Sequence, residues 1–473
     1  MIFGIEPGIF ILLIVCLGLV AAFEFVNGFN DTANAIAPVI YTRSLKPKRA
    51  VVLAGILNFL GVIFGGIGVA MAIMHLLPLA VIAEQPVSFG IALVSSLLIS
   101  AIIWNLTTWY LAIPSSSSHA LIGSIIGVSV AMMYLPISGG ELVSPNWGKA
   151  KEVLESLLFS PLIGFSIALI LMFVSYKIIH SKRYFKNPKP DKKIKKPGAR
   201  LRSLLIGTSA WVSFAHGSND GQKGVGIAML ILISLLPSMF ALNPKVDIES
   251  IKQDINYISG VVNDIDSNVG DESQKKMLKD VKENIIIFNN LVEGNNRMKL
   301  RVHLLKIQKD LSYVNTTSFS FVNKVNADSV ISKLQSSEFK SHISSLTNAI
   351  DYAPIWIIAL ISISIGLGTM VGRKRIVTTI GEGIGNTKMN YAQATNSALI
   401  TAVTISTASK LGLPVSTTHV LSSSVAGSMV GAKKGGVQGD TVKHIIMAWV
   451  LTLPTTILLS GFLFSIIFYT FLK

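Results

Sequence analysis

Two short polar stretches sit inside apolar sequence, and each occurs twice. The first copy reads Gly28-Phe29-Asn30-Asp31-Thr32-Ala33-Asn34-Ala35 and is followed, 84 residues after Asn30, by Pro114-Ser115-Ser116-Ser117-Ser118-His119. The second reads Gly217-Ser218-Asn219-Asp220-Gly221-Gln222-Lys223-Gly224 and is followed by Pro414-Val415-Ser416-Thr417-Thr418-His419. Hydrocarbon offers no hydrogen-bond partner, so an Asn-Asp pair and a hydroxyl run in such surroundings must be satisfied by protein, water or ligand. Together the four stretches predict one midplane site for an oxyanion and its co-ion.

A proline ahead of a hydroxyl run is suited to starting a helix, because its missing N–H costs nothing in the first turn. The hydroxyls of Ser115, Ser116, Ser117, Ser118, Ser416, Thr417 and Thr418 then lie at helix N-termini, where free N–H groups and the dipole favour an anion. Asn30 and Asn219 add amide donors for the anion, and with Asn34 add carbonyl oxygens for a hard cation. The plain alternatives are hydroxyls back-bonded to their own helix and a structural Asp/Asn network. A carboxylate at mid-membrane costs from about 2.5 to more than 10 kcal/mol, so Asp31 and Asp220 need a cation, a proton or a basic partner.

Aligning Asp31 with Asp220 sets Lys223 against Asn34. Lys223 then either pairs with Asp220 in place of a bound metal ion or contacts the anion directly; otherwise it is a lysine snorkelling to an interface. His119 and His419 close the hydroxyl runs, and Glu24 and His216 flank the Asn-Asp motifs. Any of these can relay protons, since imidazole titrates near neutrality, although a histidine capping its own hairpin is an equal reading for the first two. Asn27 aligns with His216, so that histidine is not duplicated. Glu382, in Gly381-Glu382-Gly383-Ile384-Gly385, does not form a nucleotide fingerprint, and no strand precedes it.

The elements that must position these residues follow from composition. Apolar residues make up 51% of the 473 and charged ones 14%, in runs long enough to span a bilayer, so the chain is a polytopic membrane protein. The net charge of +16 does not indicate nucleic acid, because the loop from Lys177 to Arg202 alone carries eleven Lys/Arg against one Asp, as cytoplasmic loops do. The single cysteine, Cys16, excludes an internal disulfide and a cysteine metal site. No basic residue precedes the first apolar run, so residues 8–26 are expected to be retained as helix.

Apolar segments fall at 8–40, 50–77, 88–112, 115–134, 157–179, 203–240, 353–372, 392–411, 415–431 and 444–472. Those at 8–40 and 203–240 are too long for one plain span and are read as broken helices. Arg43, Lys46, Lys48 and Arg49 put the first loop inside, and the loop from 78 to 87 lies outside. Arg373, Lys374 and Arg375, then Lys433, Lys434 and Lys443, fall inside on the same count. Ten crossings result, with antiparallel halves: an inverted repeat of the alternating-access kind. Asn30 to Pro114 is 84 residues and Asn219 to Pro414 is 195, so the excess of 111 matches one insertion.

The predicted architecture is an all-α polytopic membrane protein with helical hairpins. It comprises a first membrane repeat (1–180), a basic cytoplasmic linker (181–202), the start of the second repeat (203–240), a soluble helical insertion (241–352) and the rest of the repeat (353–473). In the insertion Ile248, Ile251, Ile255, Ile258 and Val262 recur at helical spacing, as do Met277, Val281 and Ile285, and more weakly Val302, Leu305 and Leu311. The crossing count puts it outside; a spacer and a gating or partner-binding module are both open.

The paired Asn-Asp and Pro-hydroxyl-His motifs resemble those of the inorganic phosphate transporter (PiT) family, and the stretches at 27–35, 216–224 and 414–421 look like its bacterial low-affinity branch. The resemblance implies symport of inorganic phosphate, in that branch often as a neutral complex with a divalent metal and driven by protons, in the plasma membrane (the inner membrane of a bacterium). The family's sodium-coupled members have a second motif like the first, from which Gly221-Gln222-Lys223 departs. On this reading phosphate is held by Asn30, Asn219, Ser116, Ser117, Ser118, Ser416, Thr417 and Thr418. Coupling falls to Asp31, Asp220, Asn34, Lys223, Glu24, His119 and His419, around a cavity shared with Ser117 and Thr417. No resident cofactor is expected; the partners are phosphate, a coupling cation and the bilayer, with a homodimer as one open assembly. Sodium coupling and sulfate selectivity remain alternatives. A membrane hydrolase is disfavoured, since hydrolysis needs one nucleophile beside one base rather than duplicated hydroxyl runs; a phosphate sensor with the insertion as its output is the other rival.

Overall fold

Apolar runs separated by short Pro-bearing or basic links fold into a succession of helices. The computed structural model describes residues 5–77, 82, 85–111, 113, 115–135, 146–181, 184–187, 197–266, 269, 271–292, 294, 296–316, 331–371, 384, 389–432 and 436–472. Pro114, Glu382, Arg373, Lys374, Arg375, Lys433, Lys434 and the side chain of Asn34 lie outside the described residues, as do most of the 78–87 loop and the middle of the basic linker.

The first half holds α1 (Pro7–Tyr41), α2 (Pro47–Phe64), the short α3 (Gly68–Met74), α4 (Val87–Tyr110), α5 (Ser117–Tyr134) and α6 (Trp147–Ile178). The second begins with α7 (Ala199–His216), a π-helical turn (Gly217–Gly221) and α8 (Gln222–Leu235). Then come, among the described residues of the insertion, four helices: α9 (Ile248–Asp266), α10 (Glu272–Val292), α11 (Arg297–Thr316) and α12 (Ser337–Ile350). The second half resumes with α13 (Ile355–Val371), α14 (Tyr391–Lys410), α15 (Thr417–Val430) and α16 (Gly439–Ile467).

Only one of the two Asn-Asp motifs interrupts its helix. The second lies in the π turn, a wider coil flanked by Gly217 and Gly221, whereas α1 runs unbroken for 35 residues through Asn30 and Asp31. The expected break in α1 is therefore corrected. Asn30 and Asp31 reach partners on other segments through their side chains, so the backbone need not open. The hairpins also differ from expectation. Ser116 and Ser416 are the N-caps, each accepting the N–H of the histidine three residues on, at 3.1 and 3.2 Å. Pro414 accordingly precedes the helix instead of starting it, because a serine side chain satisfies an N–H that proline leaves open.

The main packed pairs come in counterparts. α1 lies on α13 and α7 with its π turn lies on α2; α6 lies on α15 and α16 lies on α5; α4 meets α1 and α5 as α14 meets α7 and α15. Backbone contacts repeat the pattern atom by atom. A Cβ on Gly28 would lie 2.2 Å from the Ile365 carbonyl oxygen, and one on Gly217 would lie 2.1 Å from that of Asn58. Likewise a Cβ on Gly368 would lie 2.0 Å from the Phe25 oxygen and one on Gly61 2.2 Å from the Phe214 oxygen. Gly28 and Gly217, like Phe25 and Phe214, are 189 residues apart; Asn58 and Ile365, like Gly61 and Gly368, are 307 apart. Small residues that bring helix backbones together are how membrane helices associate, and reciprocal pairs of this kind are what a two-fold relation produces.

Among the described residues six helices are long and apolar enough to cross a membrane: α1, α2, α4, α5, α6 and α16. By length and composition the described residues thus account for six of the ten expected crossings. At 14 residues, about 21 Å long, α15 falls short of a hydrocarbon core of about 30 Å.

Leu232–Tyr352 belong to a separate compact unit. Its core takes Ile251, Ile255, Ile258, Val262, Val281 and Ile285 as the periodicity predicts, with Ile248 and Met277 packed against it. In α11 the buried stripe is Leu300, Leu304, Ile307 and Leu311, with Leu305 packed against it as expected, whereas Val302 lies outside it. Within this unit the wholly buried Arg301 donates through Nη1 to Ala241 O and Ile350 O, both at 2.7 Å.

Candidate functional site

Asp31 from the middle of α1 and Asp220 from the π turn meet at one imidazole. His216 Nε2 lies 3.4 Å from Asp31 Oδ2 and 3.1 Å from Asp220 Oδ2, and one ligand atom from each of the three residues falls within 4.8 Å of the others. All three are more than nine-tenths buried. The ring is set by Asn58 of α2, whose Oδ1 is 3.0 Å from His216 Nδ1 and whose amide donates to Thr369 Oγ1 on α13 at 2.7 Å. Neither tie was predicted: Asn58 is a lone amide in an apolar helix, and His216 was expected to flank the motif and relay protons without a named partner.

The second hydroxyl run closes on both carboxylates, and the first on Lys223. Thr418 donates to Asp31 Oδ1 at 2.7 Å and Thr417 to Asp220 Oδ2 at 3.1 Å. On the first run, Ser118 donates to Val415 O at 3.0 Å and accepts from Lys223 Nζ. Lys223 is 2% exposed and also donates to Asp220 Oδ1 at 2.5 Å and to Val415 O at 2.8 Å. An ammonium has three protons, and the three acceptors account for all of them. Lys223 is thus paired with Asp220.

The two asparagines are used differently. Asn219 donates to Ser409 Oγ and Leu413 O and accepts from the Val415 N–H, each at 3.1 Å, so its amide clamps the segment leading into α15. Asn30 donates to Asn105 O at 3.1 Å and leaves Oδ1 buried without a hydrogen-bond partner. Glu24 is fully buried, accepts from Asn27 Nδ2 at 3.1 Å and lies against Gly224, beside Lys223. The His119 and His419 rings are 4.3 Å apart, His119 Nδ1 is 2.9 Å from Ser116 Oγ, and His419 stacks on Trp449 at 3.9 Å.

Beyond this histidine pair is a cavity of about 800 Å³ whose walls are mostly apolar, among them Leu157, Pro161 and Trp449. His119 and His419 line it, but Ser117 and Thr417 do not, so it is not the shared anion cavity expected from the sequence. The reason lies in the hydrogen bonds just described, which draw the hydroxyl runs onto the carboxylates and Lys223. The expected residues thus converge, closed on one another. Two carboxylates against one fixed ammonium leave the Asp31–Asp220–Lys223 group with one negative charge in excess, which one proton on His216 or one bound monovalent cation would neutralise.

A family model described as the phosphate transporter family matches residues 27–460. The chain is 40% identical over 483 residues to a low-affinity inorganic phosphate transporter of Buchnera aphidicola subsp. Acyrthosiphon pisum, covering 96% of each chain. It is 37% identical over 501 residues to the low-affinity inorganic phosphate transporter PitA of Escherichia coli K12, covering 98% of this chain and 97% of that one. A solved structure described as the sodium-dependent phosphate transporter aligns with a TM-score of 0.55 over 97% of this chain and 99% of its own, and at 20% identity this shows a shared fold. The family match takes in all four polar motifs and both sets of packed helices, and with full-length relatives at this identity it shows that the chain belongs to the phosphate transporter family.

Proposed function

We propose that this phosphate transporter works as a low-affinity importer in the inner membrane, driven by protons and carrying phosphate as a neutral complex with a divalent metal. The observation that carries proton coupling is His216 Nε2 lying 3.4 and 3.1 Å from two carboxylates that come from opposite halves of the chain. A proton on this ring neutralises the excess charge of the cluster and lowers the cost of holding it in a low-dielectric interior. Its loss would leave Asp31 and Asp220 repelling one another, and as the two halves separate the Thr418 hydroxyl, bound to Asp31 across them, would be drawn off and become free for cargo.

A neutral cargo fits the electrostatics. Lys223 is already taken up by Asp220, Ser118 and Val415, so no positive side chain among the described site residues is left for a bare dianion. Ser117, Thr417, Thr418 and the unpartnered Asn30 Oδ1 are the groups offered to it, the last suited to the metal. The reciprocal packing of the two halves supports alternating access by an inverted repeat, in which each half takes the other's conformation in turn. Sodium coupling is the second reading, favoured by the description of the structural neighbour.

Uptake of radiolabelled phosphate into liposomes containing only the purified protein tests these points. An inward proton gradient should drive accumulation without sodium, magnesium should raise it, and excess sulfate should leave it unchanged. Uptake that follows a sodium gradient alone would overturn the proton reading, and competition by sulfate would overturn the selectivity.

A further inference from the structure

Lys223 ends in a small cage of oxygens drawn from three places: the Asp220 carboxylate in the π turn, the Ser118 hydroxyl in the first turn of α5, and the Val415 carbonyl ahead of α15. A carboxylate, a hydroxyl and a backbone carbonyl are the ligand types that hold a hard cation. The cage is built independently of the lysine, since Ser118 itself is anchored on Val415 O and the Val415 N–H is held by Asn219. A lysine that merely snorkels would carry its charge to water, yet this one is 2% exposed. Across the internal repeat its position is filled by Asn34, while both carboxylates keep a hydroxyl partner from the second run, Asp31 in Thr418 and Asp220 in Thr417.

We propose that Lys223 is a covalently tethered counter-ion filling a monovalent-cation site, and that it determines which ion is coupled by keeping a free cation out. The inference rests on reading the Asp31–His216–Asp220 cluster as the coupling site and adds to it the residue that sets ion specificity. A lysine occupant cannot dissociate, so this half of the site cannot take part in cation exchange, and the exchangeable charge is confined to the side of Asp31 and His216. Replacing Lys223 by asparagine, the residue at the mirrored position, empties the cage of its ammonium and leaves three oxygens with the Asp220 charge uncompensated. A small free cation then becomes the group that stabilises it.

The test compares purified full-length wild type, Lys223→Asn and Lys223→Arg in sodium chloride and in choline chloride at equal ionic strength, without phosphate. Lys223→Asn should bind radiolabelled sodium saturably at one site per chain and melt several degrees higher in sodium than in choline. Wild type and Lys223→Arg should do neither. In liposomes, phosphate uptake by Lys223→Asn should rise at least tenfold with sodium. A folded Lys223→Asn protein with no sodium binding, or equal sodium binding by wild type, overturns the proposal. If Lys223→Asn fails to fold in choline, Lys223→Gln is examined beside it: recovery of either fold in sodium supports the proposal, and failure of both in both salts overturns it. Wild-type liposomes that take up no phosphate would sink the transport reading instead, which the binding measurement does not use.

Discussion

Asp31 and Asp220 occupy mirrored positions but do not have equivalent neighbours, and their removal should be felt differently. Asp220→Asn leaves the buried Lys223 ammonium without its counter-charge, the situation that costs about 3–5 kcal/mol when one partner of a buried pair is deleted. Asp31→Asn strands no lysine and should cost clearly less, while abolishing uptake as fully. Thermal unfolding of the two variants should therefore separate them by several degrees, and adding Lys223→Met to Asp220→Asn should restore most of the loss. Asn58 belongs to the same argument. Asn58→Ala removes the partner of His216 Nδ1 and the donor to Thr369, a loss of about 1–3 kcal/mol, and should lower proton-driven uptake in a folded protein. The paired carboxylates, the hydroxyl runs and Lys223 are legible in the sequence because each has a duplicate or stands against one. Asn58 and the cage oxygen of Val415 are not, because a lone amide and a backbone carbonyl leave no pattern; His216 was visible as a possible proton relay beside the motif, but not its place between the two carboxylates.

The helices that carry these residues are held at close approach by glycines, and the mirrored contacts make a paired prediction. Gly61→Val and Gly368→Val each drive a side chain into a facing carbonyl and should lower stability by similar amounts, about 1–3 kcal/mol or more. Gly207→Ala, in α7 with open space around it, should instead be neutral or raise stability by up to about 1 kcal/mol, since alanine favours helix. In the insertion, burial pushes the Asp351 carboxyl up to about 6, a shift that the Arg301 guanidinium opposes. The folded form then binds its proton more tightly than the unfolded chain, whose carboxyl titrates near 3.8, so stability is greatest below that value and falls as pH rises through 6. The loss amounts to about 3 kcal/mol at most. Hydrogen exchange around Ala349 and Ile350, corrected for intrinsic rates, should be slower at pH 4.5 than at pH 7, and Asp351→Asn should remove the difference. Most element boundaries could be read from apolar runs. The continuity of α1 could not, because hydropathy registers a polar motif without saying whether side chains or backbone satisfy it, and the face of α11 is blurred in the sequence where Val302 falls beside the true stripe.

At the level of the whole molecule, two halves built from the same sequence of helices pack reciprocally, and their polar motifs close on one cluster of two carboxylates, one imidazole and one ammonium. The duplication was legible from four short motifs and one spacing difference. The closed state was not, since it depends on which of several donors each hydroxyl chooses. If the motifs serve a single cargo, Ser117 and Thr417, at mirrored starts of α5 and α15, must act on the same phosphate. A double-mutant cycle on phosphate binding, using Ser117→Ala, Thr417→Ala and the pair in the purified protein with magnesium present, reads this directly. The account predicts a coupling energy of about 0.5–3 kcal/mol between the two hydroxyls. Strict additivity, with each substitution weakening binding independently of the other, would mean two separate anion sites and contradict it.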